Sequence, residues 1–352
     1  MDQQEKPQPR DIMRAWLENP KMRERDLAAQ LGISEAELVA AHCGDGVLRI
    51  NPLVNDLLAG LGSVGEVMAL TRNESVVHEK IGIYDKVVPG AEAAMVLGEH
   101  IDLRIFPRVW KYGFAVEKRD GEDIRRSLQF FDETGEAIHK VHLRPASNLY
   151  AYQRLVSELE SVEQGRTLEI VAPVADVAKP VEATVNVDDL RDRWSRMTDV
   201  HQFFGILKSL KLGRQQAMCL VGRDYAWPLH GDSVTALLSH AAQHSLPIMC
   251  FVGNKGCIQI HSGAVSNIKP MGPWINVLDE TFHMHLRTDR IAEVWGVRKP
   301  TADGHVTSVE AYDAAGRLII QFFGKREEGE SERDDWRFLA ENLPHLDISA
   351  AA

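Results

Sequence analysis

The segment Ser127-Leu-Gln-Phe-Phe-Asp132-Glu-Thr-Gly135 returns 181 residues later as Ser308-Val-Glu-Ala-Tyr-Asp313-Ala-Ala-Gly316. Val96-Leu97-x-Glu99 returns at the same distance as Val277-Leu278-x-Glu280, and with small gaps Trp110 and Gly113 fall near Trp295 and Gly296. Two matches at one spacing point to duplication. A repeat of about half the chain implies two similar domains, because solenoid arrays repeat every few tens of residues. The expected division is a first repeat over 1–163, a linker over 164–187 and a second repeat over 188–352. The linker is rich in Ala, Val and Pro and carries no helical period.

Each half opens with helical spacing and closes with strand spacing. In the first, residues 9–41 place Ile12, Trp16, Leu27, Leu31 and Leu38 at helix-like intervals, and 51–61 adds a further helix. Short β-branched or alternating runs follow at 67–71, 76–83, 101–106, 112–118, 126–131 and 137–143, parted by turn pairs such as Asp120-Gly121 and Thr134-Gly135. In the second half, helices over 187–221 and 233–243 precede strands near 248–252, 257–261, 282–287, 291–298, 308–312 and 318–324. Helices followed by largely antiparallel strands, twice over, give an α+β fold.

Composition narrows the partners. With 40 basic and 51 acidic residues the formal charge is −11, which argues against a sequence-independent hold on nucleic acid or on an anionic membrane surface. Cys43, Cys219, Cys250 and Cys257 form no metal or redox spacing and read as reduced, mostly buried thiols. The polar residues 1–10 lack the apolar core of a secretory signal, so the expected location is the cytoplasm. The uncharged run 233–254 contains His240, His244 and Pro247 and reads as a buried helix followed by a strand, with no membrane insertion.

The familiar phosphate-loop, dinucleotide, zinc-protease and nucleophile-elbow motifs are absent. Residues 23–41 have the outline of a helix-turn-helix, but the second helix offers Glu35 and Glu37 where a groove reader needs Lys or Arg, so a structural helical pair is expected. His283-Met-His285 puts two imidazoles on one strand face without a third ligand nearby, and Asp188-Asp189 reads as a helix N-terminal cap.

The segment Thr198-Asp199-Val200-His201-Gln-Phe203-Phe204-Gly205 stands apart. Thr198 or Asp199 is placed to cap a helix whose buried stripe runs through Val200, Phe203, Phe204, Leu207 and Leu210, with His201 flanking the stripe. Gly205, one turn on, removes side-chain bulk beside the imidazole. A haem macrocycle needs one neutral imidazole on a rigid element, an apolar bed and rim cations, and Arg214 is a candidate cation. A packed, hydrogen-bonded histidine has the same local signature.

The duplicated layout, this segment, Ile101-Asp-Leu-Arg104-Ile-Phe106 and Trp295-Gly-Val-Arg-Lys299-Pro together resemble the HemS/ChuS/HmuS/PhuS haem-utilisation proteins of Gram-negative bacteria, over nearly the whole chain. The resemblance implies haem b as cargo or substrate, His201 as the proximal iron ligand and Arg104 as a distal residue and catalytic candidate. It also implies Arg214, Lys299 and Gln321 as a propionate rim, and Phe106 and Phe251 as ring-packing aromatics. It implies receipt of imported haem from an inner-membrane transporter, and either delivery to a haem oxygenase or cleavage of the ring with electrons from outside the chain. A haem chaperone without turnover and a DNA-associated regulator are the alternatives.

Overall fold

The computed structural model describes residues 6–172, 186–326 and 329–346. Helices α1 (Pro9–Glu18), α2 (Glu24–Leu31) and α3 (Glu35–Ala40) precede strand β1 (Val47–Ile50) and helix α4 (Val54–Val64). Strands β2 (Val67–Arg72), β3 (Val76–Gly82), β4 (Val87–Val88), β5 (Ala94–Leu97), β6 (Asp102–Ile105), β7 (Tyr112–Asp120), β8 (Asp123–Phe131) and β9 (Ala137–Leu143) lead to α5 (Leu149–Leu159). The order then repeats. Helices α6 (Val187–Ser195), α7 (Gln202–Leu210) and α8 (Arg214–Val221) precede β10 (Ala226–Leu229) and α9 (Ser233–Gln243). Strands β11 (Ile248–Gly253), β12 (Cys257–Gly263), β13 (Ile268–Met271), β14 (Trp274–Leu278), β15 (Phe282–Arg287), β16 (Glu293–Thr301), β17 (Gly304–Tyr312) and β18 (Leu318–Gly324) lead to α10 (Asp334–Glu341).

Two compact units result, the first from the described residues of Met1–Arg72, Glu79–Val174 and Gly253–Gln259, the second from those of Asn73–His78, Ala175–Val252 and Ile260–Ala352. In the first, β1, β7, β8, β9 and β2 lie side by side, and β4, β5 and β6 form a second run. In the second, β10, β16, β17, β18 and β11 lie side by side, and β13, β14 and β15 form the matching run. Neighbours within these runs are antiparallel. Of the expected linker, residues 173–185 lie outside the described residues, while Leu168 and Ile170 pack against the core around Phe114 and Phe131 of the first unit.

The repeated sequence motif is a repeated turn. At the end of β8, Asp132 Oδ1 accepts from the backbone N–H groups of Thr134 and Glu136, and Gly135 takes φ 78°. At the end of β17, Asp313 Oδ1 accepts from those of Ala315 and Arg317, and Gly316 takes φ 72°. A side-chain acceptor at the first turn position and a glycine in the left-handed region are what this turn needs. Two asparagines repeat as faithfully. In the first unit Asn254 accepts from Gly256 and Cys257 and donates to the Ile138 carbonyl at 2.8 Å; in the second Asn73 accepts from Ser75 and Val76 and donates to that of Ile319 at 2.8 Å.

Helix α4 buries Val54, Leu57, Leu58, Leu61 and Val64, and α9 buries Val234, Leu237, Leu238 and Ala241, each a one-sided stripe against its unit's core. Helices α6, α7 and α8 share a core of Leu190, Trp194, Phe203, Leu207, Met218 and Val297. Asn186, not Asp188 or Asp189, caps α6, its side chain accepting from the Asp189 N–H at 3.1 Å; the two aspartates occupy the first turn.

Candidate functional site

Helix α7 starts later than its sequence suggests. His201 is its N-cap residue, and Asp199, two residues earlier, accepts from both the backbone N–H and ring Nδ1 of His201, each at 2.7 Å. With Nδ1–H donated to the carboxylate, the lone pair of Nε2 faces outward, the tautomer a metal-binding imidazole needs. The side chain is 86% exposed. Phe204 is also exposed, at 62%, which corrects the expected stripe: only Phe203 and Leu207 are fully buried on α7. Phe203 takes the inward position, its ring 5.0 Å from that of Trp194, and the 100° step between adjacent helical residues then turns Phe204 outward. A Cβ placed on Gly205 meets nothing within 4 Å. One face of α7 therefore presents an imidazole, a phenyl ring and a bare backbone step, a suitable bed for a flat ligand.

Behind Phe203 lies a cluster that gathers all three expected rim residues on one carboxylate. Glu310, fully buried on β17, accepts from Arg214 Nε and Nη2 at 2.8 Å each, from Lys299 Nζ at 3.0 Å and from Gln321 Nε2 at 3.1 Å. Ser308 Oγ at 2.8 Å and Tyr312 OH at 2.6 Å complete its shell. Arg214 and Lys299 also lie over the Phe203 ring, 5.2 and 4.8 Å from its centroid. Burial opposes the charge of Glu310, but Arg214 and Lys299 outweigh it and hold the carboxyl well below the usual range. Burial, aided by the Arg214 charge and opposed by Glu310, pulls the Lys299 ammonium down to about 8. Phe251 stands opposite Gln321 in the β11–β18 pairing, its ring 5.0 Å from that of Phe323.

Arg104 and Phe106 belong to the first unit. Arg104, on β6, pairs with Asp102 and donates to the Leu103 carbonyl at 3.1 Å; Phe106 follows the strand and leads into a single 3-10 turn, Pro107–Val109. The helical pair α2 and α3 is built as a structural element. Gly32 takes φ 67° between the helices, Ser34 and Glu37 form a capping box, and every α3 residue but Glu37 is buried. Glu35 points inward to Arg72 and to Lys140, the latter at 2.6 Å, so the would-be reading helix has no face left for a groove. His283 and His285 lie on the face of β15 opposite buried Phe282, Met284 and Leu286, and Nδ1 of His285 bonds Asn276 Oδ1 at 2.7 Å. Among the described residues no group of three His, Cys, Asp or Glu side chains is placed to hold a metal ion, and no helix is long and apolar enough to cross a membrane. Cys43, Cys250 and Cys257 are buried and Cys219 is exposed, and none of the four is in a disulfide among the described residues.

Sequence reasoning missed Glu310, Ser308 and Tyr312, and gave Asp199 only as a helix cap. The signal for the first three was present: 308, 310 and 312 fall on one face of a strand, and all three are polar or hydroxylated in an otherwise apolar run.

Fold and site define a duplicated α+β protein whose second repeat sets an exposed, carboxylate-oriented imidazole beside a buried, net-cationic cluster. The family model described as the haemin-degrading HemS/ChuX domain matches residues 32–159 and 211–343, and the chain belongs to that family. It is 40% identical over 346 residues to the hemin transport protein HmuS of Yersinia pestis, covering 96% of this chain and 97% of the relative. The crystal structure of holo-PhuS, a haem-binding protein from Pseudomonas aeruginosa, matches with TM-score 0.93 and 44% identity, over 97% of this chain and 100% of that one. The haem-degrading enzyme ChuS of Escherichia coli O157:H7 matches with TM-score 0.89 and 36% identity, over 96% and 99%.

Proposed function

We propose that this protein binds haem b as cargo for haem-iron use, with His201 as the iron ligand. The observation that carries the reading is the outward-facing Nε2 of His201, fixed by Asp199 on a helix face that Gly205 leaves bare. Phe204 and Phe251 supply apolar surface, and Arg214, Lys299 and Gln321 supply the polar groups toward the propionates. Phe106 is assigned to ring packing, and Arg104 to the distal side. A guanidinium is a hydrogen-bond donor and not a neutral nitrogen ligand, so its role is donation rather than ligation.

In this reading the protein works in the cytoplasm, receives haem from an inner-membrane transporter and either passes it to a haem oxygenase or opens the ring itself. The names of its relatives, a hemin transport protein and a haem-degrading enzyme, support both outcomes. For ring opening, the porphyrin supplies the redox chemistry and the chain supplies ligation, a distal donor and an apolar surface. Electrons come from a partner or a small reductant.

The test is an absorbance titration of the purified chain with haemin beside His201→Ala, followed by ascorbate in air with catalase present. A saturable Soret change lost in the variant is expected. Decay to a linear tetrapyrrole spectrum identifies an enzyme, and a stable Soret band identifies a carrier. A Soret change that survives unaltered in His201→Ala overturns the ligand assignment.

A further inference from the structure

Glu310 is a costly residue for the interior of a sheet protein, and the fold does not demand it. At the matching place in the first repeat, 181 residues earlier, stands Gln129, with Lys118 and Lys140 matching Lys299 and Gln321. Gln129 reaches Ser127 at 3.1 Å, and its Oε1 has no partner among the described residues; the lysines there turn instead to Glu24 and, for Lys140, Glu35, on α2 and α3. The strand, its turn and its neighbours form equally well around a neutral amide. The carboxylate of the second repeat therefore answers to something other than folding.

Its contacts say what. Oε1 of Glu310 accepts from Arg214, Lys299, Ser308 and Gln321, and Oε2 from Arg214 and Tyr312, so one buried group collects side chains from α8, β16, β17 and β18. Two cations and one anion leave a single positive charge in excess, nearly shut off from water. We propose that Glu310 is a positioning residue for ligand carboxylates: one buried carboxylate gathers Arg214, Lys299 and Gln321 at a single point. This rests on the haem reading above and concerns recognition of the propionates within it.

Lys299 bonds Glu310 of β17 and lies over the Phe203 ring of α7, and Arg214 of α8, Ser308 and Tyr312 of β17 and Gln321 of β18 share that carboxylate with it. Glu310 is the anion among them. With it in place burial already holds the Lys299 pKa at about 8; without it, burial and Arg214 act unopposed and the ammonium is lost at lower pH. A neutral amine forms no ion pair with a carboxylate.

The experiment titrates the full chain with haemin and with haemin dimethyl ester, which lacks free carboxylates, across pH 6 to 9, for the wild type, Glu310→Gln and Lys299→Met. The ratio of the two affinities cancels any pH effect common to both ligands. The wild type is expected to prefer haemin, with the preference falling as pH rises through about 8. In Glu310→Gln the preference at pH 7.5 falls about tenfold, the loss of a charge-assisted contact, and returns toward pH 6. Lys299→Met shows a weak preference without the pH step, and it carries the test should Glu310→Gln fail to fold. A wild type without saturable haemin binding overturns the haem reading itself. A wild type that binds haemin, beside Glu310→Gln with unchanged preference and pH midpoint, or Lys299→Met with the pH step intact, overturns the role of Glu310 alone.

Discussion

Oδ1 of Asp199 lies 2.7 Å from Nδ1 of His201, and the same oxygen holds the His201 backbone N–H at 2.7 Å. Two bonds to one oxygen fix both the ring and the residue that carries it. Carboxylates in this position typically add ten- to a hundredfold to metal affinity. Asp199→Ala is therefore expected to weaken haemin binding about ten- to a hundredfold, with a Soret change still present because the ligand atom remains. A titration of that variant with unchanged affinity would detach Asp199 from the site.

Gly205 separates binding from stability. Its added side chain has open space, and glycine inside a helix costs about 0.5–1 kcal/mol relative to alanine, so Gly205→Leu is expected to leave the fold as stable or slightly more so. The same leucine stands on the face proposed to receive the ring. Haemin affinity should fall while the urea midpoint holds or rises; unaltered affinity would place the ligand elsewhere.

Arg214 meets Glu310 in a two-point contact at 2.8 Å. Removing one partner of a buried pair costs roughly 3–5 kcal/mol because the other is left charged without its counterpart. Arg214→Ala should lower unfolding stability by about that amount in urea titrations, and adding Glu310→Gln to it should recover part of the loss. No recovery in the double variant would mean that Arg214 stabilises by packing over Phe203 alone.

A buried chain in the first unit predicts acid sensitivity. Nε2 of His139 lies 2.6 Å from Tyr84 OH and Nδ1 2.8 Å from Thr71 Oγ1, and Thr71 donates to Cys257 Sγ at 3.5 Å; a neutral imidazole satisfies this chain, with Nδ1–H donating to Thr71 and Nε2 accepting from Tyr84. Burial lowers the His139 pKa to about 3. A folded pKa below the unfolded value of about 6.5 contributes stability that is full above 6.5 and is lost as pH falls toward 3. By pH 4 the loss is roughly 3 kcal/mol from this residue, and His139→Gln should flatten the dependence between pH 7 and 4 in denaturant titrations. Equal slopes for both proteins would contradict the assignment.

Much of this architecture is legible in the sequence because its turns are. Asp132 with Gly135, and Asp313 with Gly316, mark two hairpins by residues that only such turns require, and α9 appears at the residues its apolar stripe delimits. Strand β10 contains Pro228 and β13 contains Pro270, which erases the usual strand signal, and β4 has only two residues. Helices α5 and α10 follow long strand runs and escaped the pattern. His201, Arg214, Lys299, Gln321 and Phe251 all fall in the second unit. The alternation that puts 308, 310 and 312 on one strand face was legible, but the burial of Glu310 was not: a glutamate in a strand reads as solvent-facing until its three cationic and amide partners, 11 and 96 residues away, are folded onto it.

Ser127 and Ser308 occupy the same place in the two halves, one beside an amide and one beside a carboxylate. A chain that holds two copies of a scaffold supplies its own control experiment. Any substitution made at Ser308, Glu310 or Lys299 has a twin at Ser127, Gln129 or Lys118, set in the same strands but differently wired. Whatever the twin reproduces belongs to the strand, and whatever it fails to reproduce belongs to the ligand.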